Sequence, residues 1–233
     1  MKRYLPWFVL SFFTSMAIAS VGRPQALPES YDLRNELPSL TPVKDQGVSG
    51  SCLSDAPVFA MEVAIQKAEK STPVVLSDSY VLTCGVDGGS GSIPYSLFIT
   101  PGVVRDIDWV KTNSAKDCAT AKIYRRANGY QTIGSLHDQD SNVESIKQAI
   151  LDHGAVVAEM GATPGFVNYS KGIFRDCESS PEINHAVTLI GWDDQGGYWI
   201  GRNSWGAVWG ESGYFRIQYG CNGIDSYGSY LIY

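Results

Sequence analysis

The chain has few of the groups that announce a bound metal, a nucleic acid or a membrane. It carries 3 histidines among 233 residues. Its 5 cysteines are Cys52, Cys84, Cys118, Cys177 and Cys221, none in CxxC spacing. That pattern argues against a structural zinc site, which draws on close-set Cys and His ligands, and no metal or other cofactor is expected. Lys and Arg total 18 against 24 Asp and Glu, and Arg125-Arg126 is the only adjacent basic pair after the first residues. A chain this acidic lacks the basic patch that binds phosphates or an anionic membrane. Beyond residue 20 no apolar run is long enough to span a bilayer. Charged residues make up only 18% and hydrophobic residues 44%, a composition suited to a packed core and not to disorder. No internal repeat or low-complexity segment is present.

The one long apolar run lies at the start. Met1-Lys2-Arg3 is a short basic opening, Leu5 to Ala19 is mostly apolar, and Ala17-Ile18-Ala19 is a small-x-small cleavage site. Residues 1–19 therefore read as a secretory signal peptide, and residues 20–26 as a short leader. Losing Lys2 and Arg3 takes the formal net charge from −6 to −8. The expected destination is secreted, periplasmic, or lysosomal/vacuolar. Cysteines pair in oxidising compartments, and an odd number leaves one thiol over.

The rest of the chain changes character midway. Leu33 to Val43 is expected to be extended, with Pro38 and Pro42 barring helix. From Cys52 to about Lys70 the apolar residues Ala56, Phe59, Ala60, Val63, Ala64 and Ala68 recur at helical spacing, with Ser51 as N-cap. Leu76 to Cys84 predicts a second helix capped by Ser77. Asn142 to His153 predicts a third, stopped by Gly154. Strands are predicted over 155–160, 186–192, 198–202 and 214–219. Helices first and strands afterwards indicate an α+β protein of two lobes.

A thiol becomes a nucleophile when its thiolate is stabilised, and a helix N-terminus provides that field. Cys52 is predicted to stand at such a terminus. Of the histidines, His137 lies in a polar loop and His153 in the last turn of a helix, where a surface or dipole role suffices. His185 opens a strand, the rigid setting a general acid–base needs. Asn203, in Arg202-Asn203-Ser204-Trp205-Gly206, can accept from the imidazole and fix its tautomer. The order Cys, His, Asn, with separations of roughly 130 and 150 residues, agrees with the spacing of papain-type enzymes.

Longer motifs surround each of these residues. Thr41-Pro42-Val43-Lys44-Asp45-Gln46-Gly47, Gly50-Ser51-Cys52, Ile183-Asn184-His185-Ala186-Val187, Asn203-Ser204-Trp205-Gly206 and Trp209-Gly210-Glu211-Ser212-Gly213-Tyr214 occur in that order. From about Leu27 to the C-terminus the chain resembles the papain family of cysteine peptidases, the cathepsin-like enzymes. The resemblance implies a papain-like domain over 27–233: a helical lobe about 38–127, a β-barrel-like lobe about 128–229, and the active site in the cleft between them. It implies Cys52, His185 and Asn203 as catalytic residues and Gln46 with the Cys52 N–H as the oxyanion hole. Gly88 and Gly89 would bind the substrate backbone. Pro94, Trp205 and Trp209 would line the cleft, and the side-chain subsite would lie near Ile93, Pro94 and either Ser226 or Tyr227. It also implies disulfides Cys84–Cys118 and Cys177–Cys221, leaving Cys52 free. A third bridge common in the family is missing, with Ser49 in place of its first cysteine. The implied partners are a peptide or protein substrate and a proteinaceous inhibitor, acting on a monomer.

Three departures stand out. Leu53 replaces the usual aromatic residue after the nucleophile. Asp55 occupies a usually apolar position, where its charge either opposes the thiolate or is turned aside into solvent or a hydrogen bond. Pro57 removes a helical N–H just past the site. Between signal and domain only residues 20–26 stand where the family carries a long inhibitory segment, so an active product, a blocking leader and a separate inhibitor are all open. The same acyl-enzyme would also serve a transpeptidase, and a catalytically weakened chain would be a papain-fold binding protein. Asn168-Tyr169-Ser170 is a glycosylation sequon.

Overall fold

Helix α2 (Cys52–Glu69) runs through the middle of the molecule and is buried along nearly its whole length, from Cys52 to Gln66 with Leu53 as the one partly exposed position. A helix buried on all sides belongs inside a core, and its buried polar members Asp55, Glu62 and Gln66 each have a hydrogen-bond partner there. One side of it, Val58, Met61 and Ile65, packs against Leu76, Tyr80, Val81, Phe98 and Val104. The other, Phe59, Ala60 and Val63, packs against Val157, Ala186, Ile190 and Ile200 of the sheet. Its first residue therefore emerges at the seam between two packed regions.

The computed structural model describes residues 26–37, 39–85, 92–109, 115–134 and 139–233, with the side chains of 115–116 and 139–141 left aside. The expected signal peptide, most of the short leader, Gly88, Gly89 and His137 lie outside the described residues. The chain begins with β1 (Ser30–Asp32), α1 (Leu33–Glu36), α2, α3 (Asp78–Cys84) and α4 (Tyr95–Ile99). There follow β2 (Gly129–Ile133), α5 (Gln139–His153), β3 (Val156–Met160), α6 (Pro164–Val167) and β4 (Ile173–Phe174). It ends with β5 (His185–Asp193), β6 (Tyr198–Arg202), β7 (Tyr214–Gln218) and β8 (Gly228–Ile232). The strands form one mixed sheet in the order β2-β8-β3-β5-β6-β7-β4, with β1 added to β5. The path is open, not a closed barrel: β2 and β4 end it, and β4 runs parallel to β7 while the other pairs are antiparallel. Eight consecutive residues of β5, His185 to Trp192, are buried. That is the burial of a strand covered on both faces, by α2 on one side and by the cluster of Trp192, Trp199, Phe166 and Phe215 on the other.

Three local expectations are corrected. Leu33–Glu36 is a helical turn, because Asp32 caps it by accepting from the Arg34 N–H at 3.0 Å and the prolines come after it. Ser51 precedes α2 but makes no side-chain cap; its hydroxyl donates to Asp55 instead. Helix α5 starts at Gln139, one turn before Asn142. Pro57 lies inside α2 without ending it. The structure joins Cys84 to Cys118 and Cys177 to Cys221, and Cys52 is the free thiol among the described residues.

Candidate active site

Each element end delivers one reactive group. Cys52 opens α2, where the first backbone N–H groups have no helical acceptor. His185 opens β5, across the sheet from Met160 of β3. Asn203 directly follows β6, and the preceding Arg202 fixes its place. That guanidinium is buried, lies over the Phe59 ring at 3.7 Å, and donates to the carbonyls of Thr41 at 2.8 Å and Pro42. The Gln46 N–H donates to the Ser204 carbonyl at 2.8 Å and the Gly206 N–H to the Lys44 carbonyl at 2.9 Å. The strand end and the segment leading to Cys52 are thereby laced together.

The side chains continue this order. His185 Nε2 donates to Asn203 Oδ1 at 2.8 Å, and that same oxygen accepts from the Ser204 N–H at 2.8 Å. The second contact fixes which end of the amide is oxygen, so the imidazole tautomer carries its proton on Nε2 and offers Nδ1. The Trp205 ring stacks on His185 at 4.6 Å and shields the bond from water. Trp205 is itself held edge-on by Trp209 at 5.0 Å. Gln46 Oε1 accepts from the Ser204 hydroxyl, which leaves the amide nitrogen as the donor end.

Gln46, Cys52, His185 and Trp205 share one cavity of about 480 Å³ with Gly50, Leu53, Glu159, Ala162, Ile183 and Asn184. Trp209 lies behind Trp205, donating to the Val167 carbonyl, and Pro94 packs against Gly85; neither is among the residues lining this cavity. His153 is remote, stacked on Tyr230 at 4.5 Å. Asn168 is exposed, at the end of α6. Glu159 was not singled out from sequence. The one available signal is its interruption of the apolar run Val156–Met160, where it is the strand's only half-buried residue.

Burial disfavours the charged form of both members of the central pair. Burial pushes the Cys52 thiol up and the Asp55 charge adds to it, against hydrogen bonds from the Ala186 and Leu53 backbone. Burial pushes His185 down, against its bond to Asn203. An ion pair between them would offset both penalties, since each charge stabilises the other. Behind Cys52, Asp55 is 5% exposed and accepts from the Ser51 hydroxyl at 2.8 Å. Its carboxyl is pushed up to about 7 by burial first and by the Asp78 charge second. Lys44 holds Asp78 at 2.8 Å. No group of His, Cys, Asp and Glu suited to a metal ion occurs among the described residues.

The family model "Papain family cysteine protease" matches residues 27–232. The chain is 32% identical to oryzain gamma chain of Oryza sativa subsp. japonica over 228 residues, covering 89% of this chain and 60% of that protein. It is 31% identical to pro-cathepsin H of Bos taurus over 210 residues, covering 84% of this chain and 61% of that protein. The chain thus spans about three fifths of the length of these curated relatives. Among solved structures, the bromelain protease of Ananas comosus in complex with the E64 inhibitor superposes with a TM-score of 0.73 at 27% identity, covering 88% of this chain and 99% of that one. With the family model matched over nearly the whole folded region and the motifs folded around one cavity, the chain belongs to the papain family of cysteine proteases.

Proposed function

We propose that this chain is an exported cysteine endopeptidase that cleaves peptide bonds through a thioester on Cys52. The observation that carries the reading is the free Cys52 thiol at a helix N-terminus, in one cavity with a histidine whose far nitrogen is held by Asn203. Cys52 Sγ attacks the scissile carbonyl carbon while its proton passes to His185 Nδ1. The carbonyl electrons move onto oxygen, where the Gln46 amide and the Cys52 N–H donate to it. As the oxyanion collapses, the C–N bond breaks and His185 returns the proton to the leaving amine. Water, deprotonated by His185, then attacks the thioester, and Cys52 leaves as the carboxylic acid is released. Export rests on the signal-like residues 1–19 and on the two disulfides, which belong to an oxidising compartment. No described helix is long and apolar enough to cross a membrane.

The test is labelling with an epoxide thiol inhibitor and turnover of a fluorogenic peptide series, each repeated on Cys52→Ala. Labelling at Cys52 and loss of turnover by at least about a thousandfold in Cys52→Ala are expected, the scale of removing a covalent nucleophile. Turnover that survives Cys52→Ala overturns the mechanism. Amide products formed when a peptide amine is supplied would place the chain among transpeptidases.

A further inference from the structure

We propose that Glu159 selects substrates with a lysine or arginine side chain two residues before the scissile bond; this deepens, and rests on, the peptidase reading. Among the described residues lining the Cys52 cavity, Glu159 is the only Asp, Glu, Lys or Arg. It stands on β3 opposite Ala186, the residue after His185, so it is one strand away from the reacting centre. Strands lie about 4.8 Å apart, within reach of a substrate side chain bound at Cys52. Its N–H faces the Tyr227 carbonyl at 3.5 Å. That contact places it beside the segment expected to form the side-chain subsite, with Tyr227 itself 43% exposed.

The carboxylate is half-buried and, among the described residues, neither accepts a hydrogen bond nor pairs with a cation; its charge acts only on the Tyr95 hydroxyl. Four other half-buried carboxylates hold a cation: Asp32 holds Arg34, Asp78 holds Lys44, Asp108 holds Arg105 and Glu211 holds Arg216, while Asp193 accepts from the Gly196 N–H instead. A partly desolvated charge left without a counter-ion costs free energy that an incoming cation recovers. The surroundings suit a long basic side chain. Ala162 and Ile183 give an apolar wall for its methylene stem, and the head reaches Glu159. The segment between Cys177 and His185 adds exposed Glu178 and Glu182 and no Lys or Arg. With a formal net charge of −6 the whole chain draws cationic peptides toward the cleft.

The experiment uses fluorogenic peptides that differ only two residues before the scissile bond, carrying arginine, its neutral isostere citrulline, leucine or glutamate. Each is assayed for kcat/KM on the unaltered chain, Glu159→Gln and Glu159→Lys. Arginine is expected to exceed citrulline by roughly tenfold to a hundredfold, the worth of one charge-assisted hydrogen bond. That ratio should fall toward one in Glu159→Gln, and Glu159→Lys should favour glutamate. Because both substrates meet one enzyme sample, the ratio does not depend on how much of a variant folds. Turnover without an arginine preference, or a preference unchanged in Glu159→Gln, overturns the assignment and leaves the peptidase reading standing. Absence of Cys52-dependent turnover of every peptide overturns the reading on which both depend.

Discussion

Asp55 sits three residues after Cys52, and its carboxyl faces inward: it accepts from Ser51, lies beside Asp78, and feels Lys44 and Arg202 at longer range. Of the alternatives the sequence leaves open, the structure takes two together, a hydrogen bond and a charge that opposes the thiolate. The carboxyl ionises near 4 in an unfolded chain and at about 7 in the folded one. A raised acid makes its full contribution below the unfolded value and loses it as pH climbs to the folded one. Stability should therefore fall between about pH 4 and pH 7 on this account, and buried Glu62, also raised, acts with the same sign. Asp78 is lowered, so its contribution is lost only below the ordinary carboxylate range. Asp55→Asn keeps an acceptor for Ser51 and removes the charge. We expect a stability gain that grows from pH 4 to pH 7 and reaches about 1–3 kcal/mol, the cost of a poorly compensated buried group. The alkylation rate of Cys52 should also reach its plateau at lower pH. Denaturant melts across that range and iodoacetamide kinetics check both, and parallel curves for the two proteins would rule the account out.

Among the elements, β5 makes the tightest demand. It bulges between Leu189 and Gly191 and then receives β1, with Tyr31 paired to Trp192 and Asp32 to Gly191. A Cβ at Gly191 would overlap the carbonyl oxygen of Tyr31, a backbone atom that cannot swing away. Gly191→Ala should therefore push β1 off the sheet and cost about 1–3 kcal/mol, the usual range for overpacking. A lower denaturation midpoint and faster proteolysis near residue 30 are the readouts; an unchanged midpoint would mean that β1 adds nothing to the fold. These strands also mark how far sequence reading reaches. Helix α2 and strands β5, β6 and β7 declare themselves through apolar periodicity, and the Cys52, His185 and Asn203 motifs sit at their ends. Strands β1 and β4 are only three and two residues long, and β2 and β8 are made strands by each other, paired across most of the second half of the chain. Glu159 was illegible for a related reason. One acidic residue in a strand reads as an ordinary solvent-facing position until the β3–β5 register places it beside His185.

At the scale of the whole molecule, α2 divides the packing and each disulfide serves a different side of it. Cys84–Cys118 spans 34 residues and packs on the helical cluster; Cys177–Cys221 spans 44 and packs on the sheet cluster, with Cys221 1% exposed. Closing loops of this size removes unfolded-state entropy worth about 4 kcal/mol each. The functional consequences should differ. Cys177 opens the segment that runs directly into Asn184 and His185, and the Glu178 N–H in that segment donates to Asn222 Oδ1 at 2.9 Å. Replacing Cys177 and Cys221 together by alanine should lower the denaturation midpoint and also raise KM, because the wall of the cleft before His185 loses its anchor. The kcat should change much less, since the His185–Asn203 bond is secured separately through Ser204 and Arg202. Equilibrium unfolding and steady-state kinetics at a fixed low reductant concentration separate these effects. Loss of stability with KM unaltered would show that the segment holds its shape without the bridge, through Pro181 against Gly161 and Asn184 against the Ala162 N–H.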